Sequence, residues 1–366
     1  MNAIVRPAAR RSKGPWRRLL GPFIKPDVFD FWAGHVNRNW TWERPRARLL
    51  SREVTAQGVT TLLLRPNRHW NGARPGQHVN LGVEIDGVRY TRSYSPSELR
   101  TDGLIAITVK SVDAGRVSRY LSERARPGDV FELGQAFGEF HVPASGGPLV
   151  MLAAGSGITP LMAMLRDLAA RGMPMPVDLV YWVRTREELC FADELRAMAA
   201  RHPGFHFRAV LTGQVASAAD EHEGRLCEQH VRDWFADVQT RHVLACGPGG
   251  FVETARALMA RHAASFQAEA FSPPPASVEE SGEVDVHLRR SGRHLRIPRG
   301  QTLLVALEDA GLKPASGCRM GICNTCACGK SAGSTRHLAS GELDHEPSQA
   351  LKLCVHGAAT DLELDL

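Results

Sequence analysis

The segment Cys318-Arg-Met-Gly-Ile-Cys323-Asn-Thr-Cys326 spaces three thiols as C-x4-C-x2-C, and Cys354 follows after 27 intervening residues. That is a spacing at which four thiolates hold the two irons of a [2Fe–2S] cluster. The loop is rich in small residues, Gly317, Gly321 and Thr325. Backbone N–H groups can therefore approach the cluster sulfurs and lower the cost of their charge. Structural zinc also accepts four thiolates, but its cysteines usually come as C-x2-C pairs on two knuckles. This chain shows no second pair. Cys328, one residue beyond Ala327, reads as a bystander thiol.

Working outward, Glu283–Arg290 and His294–Ile297 flank Ser291-Gly292, a hairpin signal, and Leu303–Ala310 reads as a helix ending at Gly311. Residues 283–366 are thus expected to form a small domain. The Pro-rich run at residues 272–282 is expected to be a stiff polar linker. Upstream, strand-like Leu149–Ala153, Val177–Val183, Phe205–Leu211 and His242–Cys246 alternate with helical stretches at Pro160–Arg171 and Glu187–Ala200. Such alternation implies a parallel α/β sheet over residues 143–271. Residues 41–142 hold short strand-like runs, Val59–Leu64, His78–Ile85, Leu104–Val109 and Val130–Leu133, separated by Gly, Pro and Asp. They predict a small antiparallel β-barrel.

The chain has 366 residues, 43% of them hydrophobic and 23% charged, which suits two or three domains and excludes a collagen-like or wholly disordered chain. Its net charge is +6, yet residues 1–26 alone carry seven basic groups and no acid. The remainder is close to neutral, which argues against a nucleic-acid-binding body. Residues 1–40 form a basic arm with Trp16, Trp32 and Trp40, read either as a tail packed on the body or as a contact for an acidic membrane surface. The arm lacks the apolar run of a secretory signal, so clustered Cys points to metal binding, not disulfides. Residues 140–165 contain no Asp, Glu, Lys or Arg, but Gly146-Gly147-Pro148, Gly155-Ser-Gly157 and Thr159-Pro160 break the run. A buried strand, turn and helix fit it better than a membrane span. A cytoplasmic protein follows, peripheral at the inner face of the membrane if the arm docks there.

On these motifs residues 283–366 resemble a plant-type ferredoxin domain of β-grasp fold, and residues 41–366 resemble the ferredoxin–NADP reductase superfamily with a ferredoxin fused at the C-terminus. Arg92-Ser93-Tyr94-Ser95 is similar to that superfamily's R-x-Y-S motif. The resemblance implies that Arg92 pairs with a flavin phosphate, Tyr94 stacks on the isoalloxazine and Ser95 bonds near N5. Gly115-Arg-Val117-Ser118 resembles a segment whose amides and hydroxyl meet a pyrophosphate, which favours FAD over FMN. Gly134–Phe140 resembles the family's closing G-x-x-G-x-F turn, and Glu269 and Phe271 resemble an acid and an aromatic near the flavin.

For the coenzyme, Gly155-Ser-Gly157-Ile-Thr159-Pro160 follows a strand and opens a helix. Glycines admit phosphate oxygens to the backbone, Thr159 suits the N-cap and Pro160 the first helical position. Proline in place of the last dinucleotide-fingerprint glycine matches the superfamily's G-x-G-x-x-P. Cys246-Gly247-Pro248 resembles its C-G-P loop, where the Cys lies near the nicotinamide C4. Strand Val177–Val183 ends in Arg184-Thr185-Arg186 instead of an acid, and two guanidiniums there predict NADPH in preference to NADH.

Together the resemblance implies an oxidoreductase passing electrons from NADPH through FAD and the cluster held by Cys318, Cys323, Cys326 and Cys354 to an external redox partner. Asp30–Trp40 resembles the lead-in of bacterial reductases that serve membrane-bound fatty-acyl desaturases. The alternatives are the reductase of a ring-hydroxylating or alkane oxygenase, and a non-catalytic iron–sulfur or zinc carrier.

Overall fold

The computed structural model describes residues 25–112, 115–271, 282–338 and 340–366. Most of the basic arm (residues 1–24) and the expected linker (residues 272–281) lie outside the described residues. Helix α1 (Pro26–Val36) precedes a seven-stranded sheet. Its strands are β1 (Arg46–Ala56), β2 (Val59–Pro66), β3 (Val79–Ile85), β4 (Val88–Tyr94), β5 (Pro96–Leu99), β6 (Ile105–Lys110) and β7 (Val130–Leu133), in the order β4-β3-β7-β1-β2-β6-β5. The paired strands run antiparallel. The two edges, β4 and β5, are consecutive in the chain and separated by Ser95 alone, so the sheet curls around its core into a half-barrel. Leu49, Leu62, Leu64, Leu81, Ile107 and Phe131 fill the inside. A short helix, α2 (Arg116–Arg119), continues into a π-helical turn at Tyr120–Arg124 and plugs this core with Val117 and Leu121.

Strands β8 (Leu149–Ala154), β9 (Val177–Val183), β10 (Phe205–Leu211), β11 (Glu221–Glu223), β12 (His242–Gly247) and β13 (Ser265–Ala270) form the second sheet, in the order β11-β10-β9-β8-β12-β13. The pairs from β11 to β12 are parallel. Every residue of β8 and β9 is buried, as a parallel strand covered on both faces requires. Helices α3 (Ile158–Ala170), α4 (Ala192–Arg201), α5 (Glu228–Trp234) and α6 (Gly249–Met259) connect them. The helix expected from Glu187 starts only at Ala192, because a 3-10 turn occupies Arg186–Glu188 and Phe191 adopts φ +62° before the first turn. The uncharged run at 140–165 is indeed strand, turn and helix. Among the described residues no helix is long and apolar enough to cross a membrane.

The last sheet is mixed: β15 (Arg293–Pro298), β14 (Glu283–Leu288), β21 (Leu362–Leu364), β16 (Ala327–Ala332) and β19 (Ser348–Lys352), in that spatial order, with β14 and β21 parallel. Helix α7 (Leu303–Asp309), capped by the Thr302 hydroxyl accepting from the Val305 N–H, buries Leu303, Leu304 and Leu307 against Val286, Leu288 and Leu362. A small sheet of β17 (Thr335–His337), β18 (Leu343–Asp344) and β20 (His356–Ala358) completes this part. By compactness the chain divides into two units, residues 1–247 with Thr254–Glu269, and Pro248–Glu253 with Ala270–Leu366.

Candidate functional site

The half-barrel brings Arg92, Tyr94 and Ser95 to its open edge. Val79, Asn80 and Leu81 of β3 pair with Tyr94, Ser93 and Arg92. Side chains alternate along a strand, so Arg92 and Tyr94 share one face and Ser93, bonded to Asn80, takes the other. Burial raises the Tyr94 phenol well above its usual range, against the opposing pull of the Arg92 cation, so the ring presents a neutral aromatic plane beside a positive charge. Arg92 Nη1 donates to the Thr91 carbonyl at 2.8 Å.

Ser95 is buried, and behind it lies a chain the sequence reading missed. Its hydroxyl is 2.8 Å from His78 Nδ1, and His78 Nε2 is 2.6 Å from Glu269 Oε1. An ionised Glu269 can only accept, which fixes the proton on Nε2 and leaves Nδ1 to accept from Ser95. The second carboxylate oxygen, Oε2, is buried and has no hydrogen-bond partner among the described residues. Gly138, at φ +102°, leaves room for the imidazole; a Cβ there would sit 3.1 Å from His78 Cδ2. His78 opens a strand-like run and so reads as an ordinary strand residue. Only the fold supplies a partner 191 residues away.

Gly115 precedes α2, and Ser118 faces back to it, its hydroxyl donating to the Gly115 carbonyl at 3.2 Å. The Val117 side chain belongs to the half-barrel core, leaving only its backbone for a phosphate.

In the second sheet the strand order reverses between β8 and β12, since β9, β10 and β11 extend one way from β8 and β12 lies on its other side. Ligands of open α/β sheets bind outside the carboxyl ends of strands at such a point. Gly155–Gly157 follows β8 and Cys246-Gly247 ends β12, so the structure brings the two motifs together. They touch: a Cβ on Gly157 would overlap the Cys246 carbonyl. Gly155 takes φ +53°, and its carbonyl accepts from the Tyr181 hydroxyl at 3.0 Å. Thr159 does not cap α3. The turn at Gly155–Gly157 leads in, the helix starts at Ile158, and the Thr159 hydroxyl donates to the Ser156 carbonyl at 3.1 Å. Pro160 still falls within the first turn, where its missing N–H costs nothing. Cys246 is fully buried, and burial pushes its thiol well up, with the Glu269 charge adding to the shift. Pro248 is exposed ahead of α6.

The two arginines after β9 part company. Arg186 forms a fork with Glu221, Nε to Oε1 and Nη2 to Oε2 both at 2.6 Å, and adds Ser217 Oγ at 2.8 Å. The Glu221 side chain has no exposed surface, and the Arg186 hydrogen bonds hold its carboxyl down at about 2. Arg186 is therefore engaged within the fold. Arg184 stays exposed at the strand end and meets no carboxylate among the described residues.

In the last unit the four cysteines of the motif converge. Cys318 N–H points to Cys323 Sγ at 3.2 Å, Cys323 N–H to Cys318 Sγ at 3.3 Å, Met320 N–H to Cys318 Sγ at 3.4 Å and Gly321 N–H to Cys354 Sγ at 3.1 Å. The Thr325 hydroxyl donates to Cys323 Sγ at 3.1 Å. Arg319 and Asn324 adopt positive φ to aim these amides inward, and a Cβ on Gly317 would crowd Cys323 Sγ at 2.8 Å. Donors gathered on three of the four sulfurs are what a thiolate-held cluster needs, and the residues fit it. Neighbouring thiols lower Cys318 and bring Cys326 to about 6. Arg319 forks onto Glu308 of α7, and Lys352 Nζ donates to the Gly321 carbonyl at 2.6 Å, so the loop is tied at both flanks. Cys328 lies in the packed core, its thiol pushed up to about 12, chiefly by burial.

Comparisons with known proteins agree with this geometry. Residues 47–142 match the oxidoreductase FAD-binding domain, 151–257 the oxidoreductase NAD-binding domain and 286–356 the 2Fe-2S iron-sulfur cluster binding domain. The chain is 30% identical over 360 residues to an NADPH oxidoreductase of Mycobacterium tuberculosis, covering 96% of this chain and 92% of that protein. It is 29% identical over 300 residues to the glycine betaine monooxygenase reductase subunit of Chromohalobacter salexigens, covering 75% and 81%. The fold is similar to that of phthalate dioxygenase reductase, with a TM-score of 0.62 and 24% identity over 88% of this chain and 97% of that one. The chain belongs to the family of ferredoxin–NADP reductase-like flavin oxidoreductases that carry a C-terminal 2Fe-2S domain. It is an NAD(P)H-, FAD- and [2Fe–2S]-dependent electron-transfer reductase.

Proposed function

We propose that this reductase draws its electrons from NADPH and passes them singly to an oxygen-activating partner protein. The observation that carries the reading is the presence in one chain of the R-x-Y-S edge, the paired loops at the β8/β12 switch point and the amide-lined thiol pocket. When bound, FAD exchanges electrons in pairs or singly, which joins a hydride donor to a one-electron cluster. The chain's own residues do the rest. Arg92 neutralises a flavin phosphate, and Tyr94 supplies a flat uncharged stacking surface. Ser95 is oriented by His78, and Glu269 fixes the tautomer of that imidazole. Gly155, Gly157 and Gly247 admit the coenzyme backbone, Gly115 and Ser118 the FAD pyrophosphate, and buried Cys246 shapes the nicotinamide end. Arg184 carries the preference for a 2′-phosphate, while Arg186 ties the turn after β9 to Glu221 and serves both coenzymes alike. Amides on the cluster sulfurs offset their charge and so raise its potential.

For the partner, a terminal oxygenase component is the first reading. It rests on the glycine betaine monooxygenase reductase subunit and on the toluate 1,2-dioxygenase electron transfer component of Pseudomonas putida, 36% identical over 137 residues, 37% of this chain and 40% of that protein. A membrane-bound fatty-acyl desaturase is the second, favoured by the exposed apolar face of α1 beside a basic arm. The test is direct. The holoprotein is isolated anaerobically, its visible spectrum is checked for flavin and iron–sulfur bands, and NADPH-driven cytochrome c reduction is measured. It is then assayed with purified oxygenase components and with membranes holding a desaturase. Colourless, iron-free protein would refute the relay, and turnover with membranes alone would reverse the order of the two partners.

A further inference from the structure

Helix α1 is amphipathic in the inverted sense. Val28, Phe31, Trp32, His35 and Val36 fall at i, i+3, i+4, i+7 and i+8, one stripe of a helix. That stripe faces outward: Val28 is 51% exposed, Phe31 60%, Trp32 66% and Val36 77%, and Trp40 just beyond is 56% exposed. The face turned to the body carries Asp30, which is 8% exposed. Its Oδ1 accepts from the Trp42 N–H at 2.5 Å, and Arg44 Nε lies 3.6 Å from Oδ2. Phe29 packs edge-on to Trp42 at 5.1 Å. At the far end the Asn37 N–H closes the helix on the Ala33 carbonyl, and Asn37 Oδ1 accepts from Arg48 of β1 at 3.0 Å. A carboxylate thus pins the helix while two aromatics and two valines are held in water, an arrangement that costs free energy unless something covers them.

Charge selects the cover. Residues 1–26, which lead into this helix, hold seven cations and no anion. A basic segment joined to a short helix with an aromatic, aliphatic face is the composition of an element that lies in the headgroup layer. Tryptophan also favours that depth. We propose that α1 is an interfacial anchor, with Val28, Phe31, Trp32 and Val36 entering the headgroup–acyl boundary of an anionic bilayer and the basic arm held by its phosphates. This deepens the membrane-contact reading raised with the desaturase partner and is independent of the electron relay.

The test uses full-length holoprotein and flotation with phosphatidylcholine vesicles, with and without phosphatidylglycerol. Binding is expected only to the anionic vesicles and should weaken in high salt. The Phe31→Ser/Trp32→Ser double variant should bind at least about tenfold more weakly, with NADPH–ferricyanide activity unchanged. Equal binding of variant and parent would overturn the role of the stripe while leaving membrane contact to the arm. No binding to either vesicle would overturn both. A variant that keeps vesicle binding but loses self-association, or loses turnover with a partner protein, would assign the stripe to a protein contact and overturn the anchor.

Discussion

Arg184 and Arg186 stand two positions apart, yet the fold gives them different work. A guanidinium exposed at the end of β9 can meet a 2′-phosphate as a charge-assisted fork. Arg184→Ala is therefore expected to raise the KM for NADPH about tenfold and to leave that for NADH nearly unchanged, as steady-state kinetics with ferricyanide will read. Arg186→Ala should instead weaken both coenzymes alike, because it strips the buried Glu221 of its guanidinium fork and leaves it the Ser217 and Ala218 amides and the more distant Arg196. Acid titration gives the same pair a second signature. Glu221 ionises at about 2, below its ordinary 4.5, so its contribution to stability is complete above pH 4.5 and is lost as pH falls toward 2. Glu221→Gln should melt roughly 5 °C below the parent at neutral pH, and the gap should close below pH 4.5. Neither this pair nor the chain Ser95–His78–Glu269 was legible in the sequence. Their partners lie 35, 17 and 191 positions apart, and no local spacing encodes such pairings. The four thiols proposed to hold the cluster stand out in the sequence because three of them sit in one short loop.

Elements were readable where burial imposes a plain pattern. Wholly buried β8 stands out as an uninterrupted apolar run, and β9 as one broken only by Asp178. Strand β4 did not, since its seven residues are exposed or half-buried, and β1 hides an exposed second half behind alternating charge. The helix start at Ala192 was obscured because Glu187 and Glu188 look helical while the left-handed Phe191 cannot continue a helix. The turn between β8 and α3 shows why a motif can be right and its mechanics different. Its glycines matter less as caps than as clearance. Gly157→Ala must push the Cys246 carbonyl and with it the neighbouring Gly247 loop. Coenzyme affinity should fall at least about tenfold for NADPH and NADH together. Thermal denaturation should show a lower Tm; Gly146→Ala, where a Cβ has open space but the backbone sits at φ +70°, should also lower Tm yet change coenzyme binding little.

At the scale of the whole molecule the chemistry is divided between two compact units, and the division can be cut at a single atom. Cys323 is the most accessible of the four thiols, the other three being buried. Replacing it with Ser exchanges a soft sulfur for an oxygen that holds iron poorly, while disturbing little of the core packed on Cys326 and Cys354. The residues proposed to meet the nicotinamide coenzyme and the flavin lie outside that unit's thiol pocket. Cys323→Ser should therefore keep NADPH–ferricyanide turnover within about twofold and lose the iron–sulfur absorption. Cytochrome c reduction should fall on the order of a hundredfold. Cys328→Ser serves as the control, because that thiol packs in the core and should leave both the cluster spectrum and cytochrome c reduction intact. Equal loss of the two activities in Cys323→Ser would mean that the cluster is required for flavin loading or folding. Retention of cytochrome c reduction would mean that electrons leave the molecule before reaching the thiols, and the C-terminal unit would then be no part of the path.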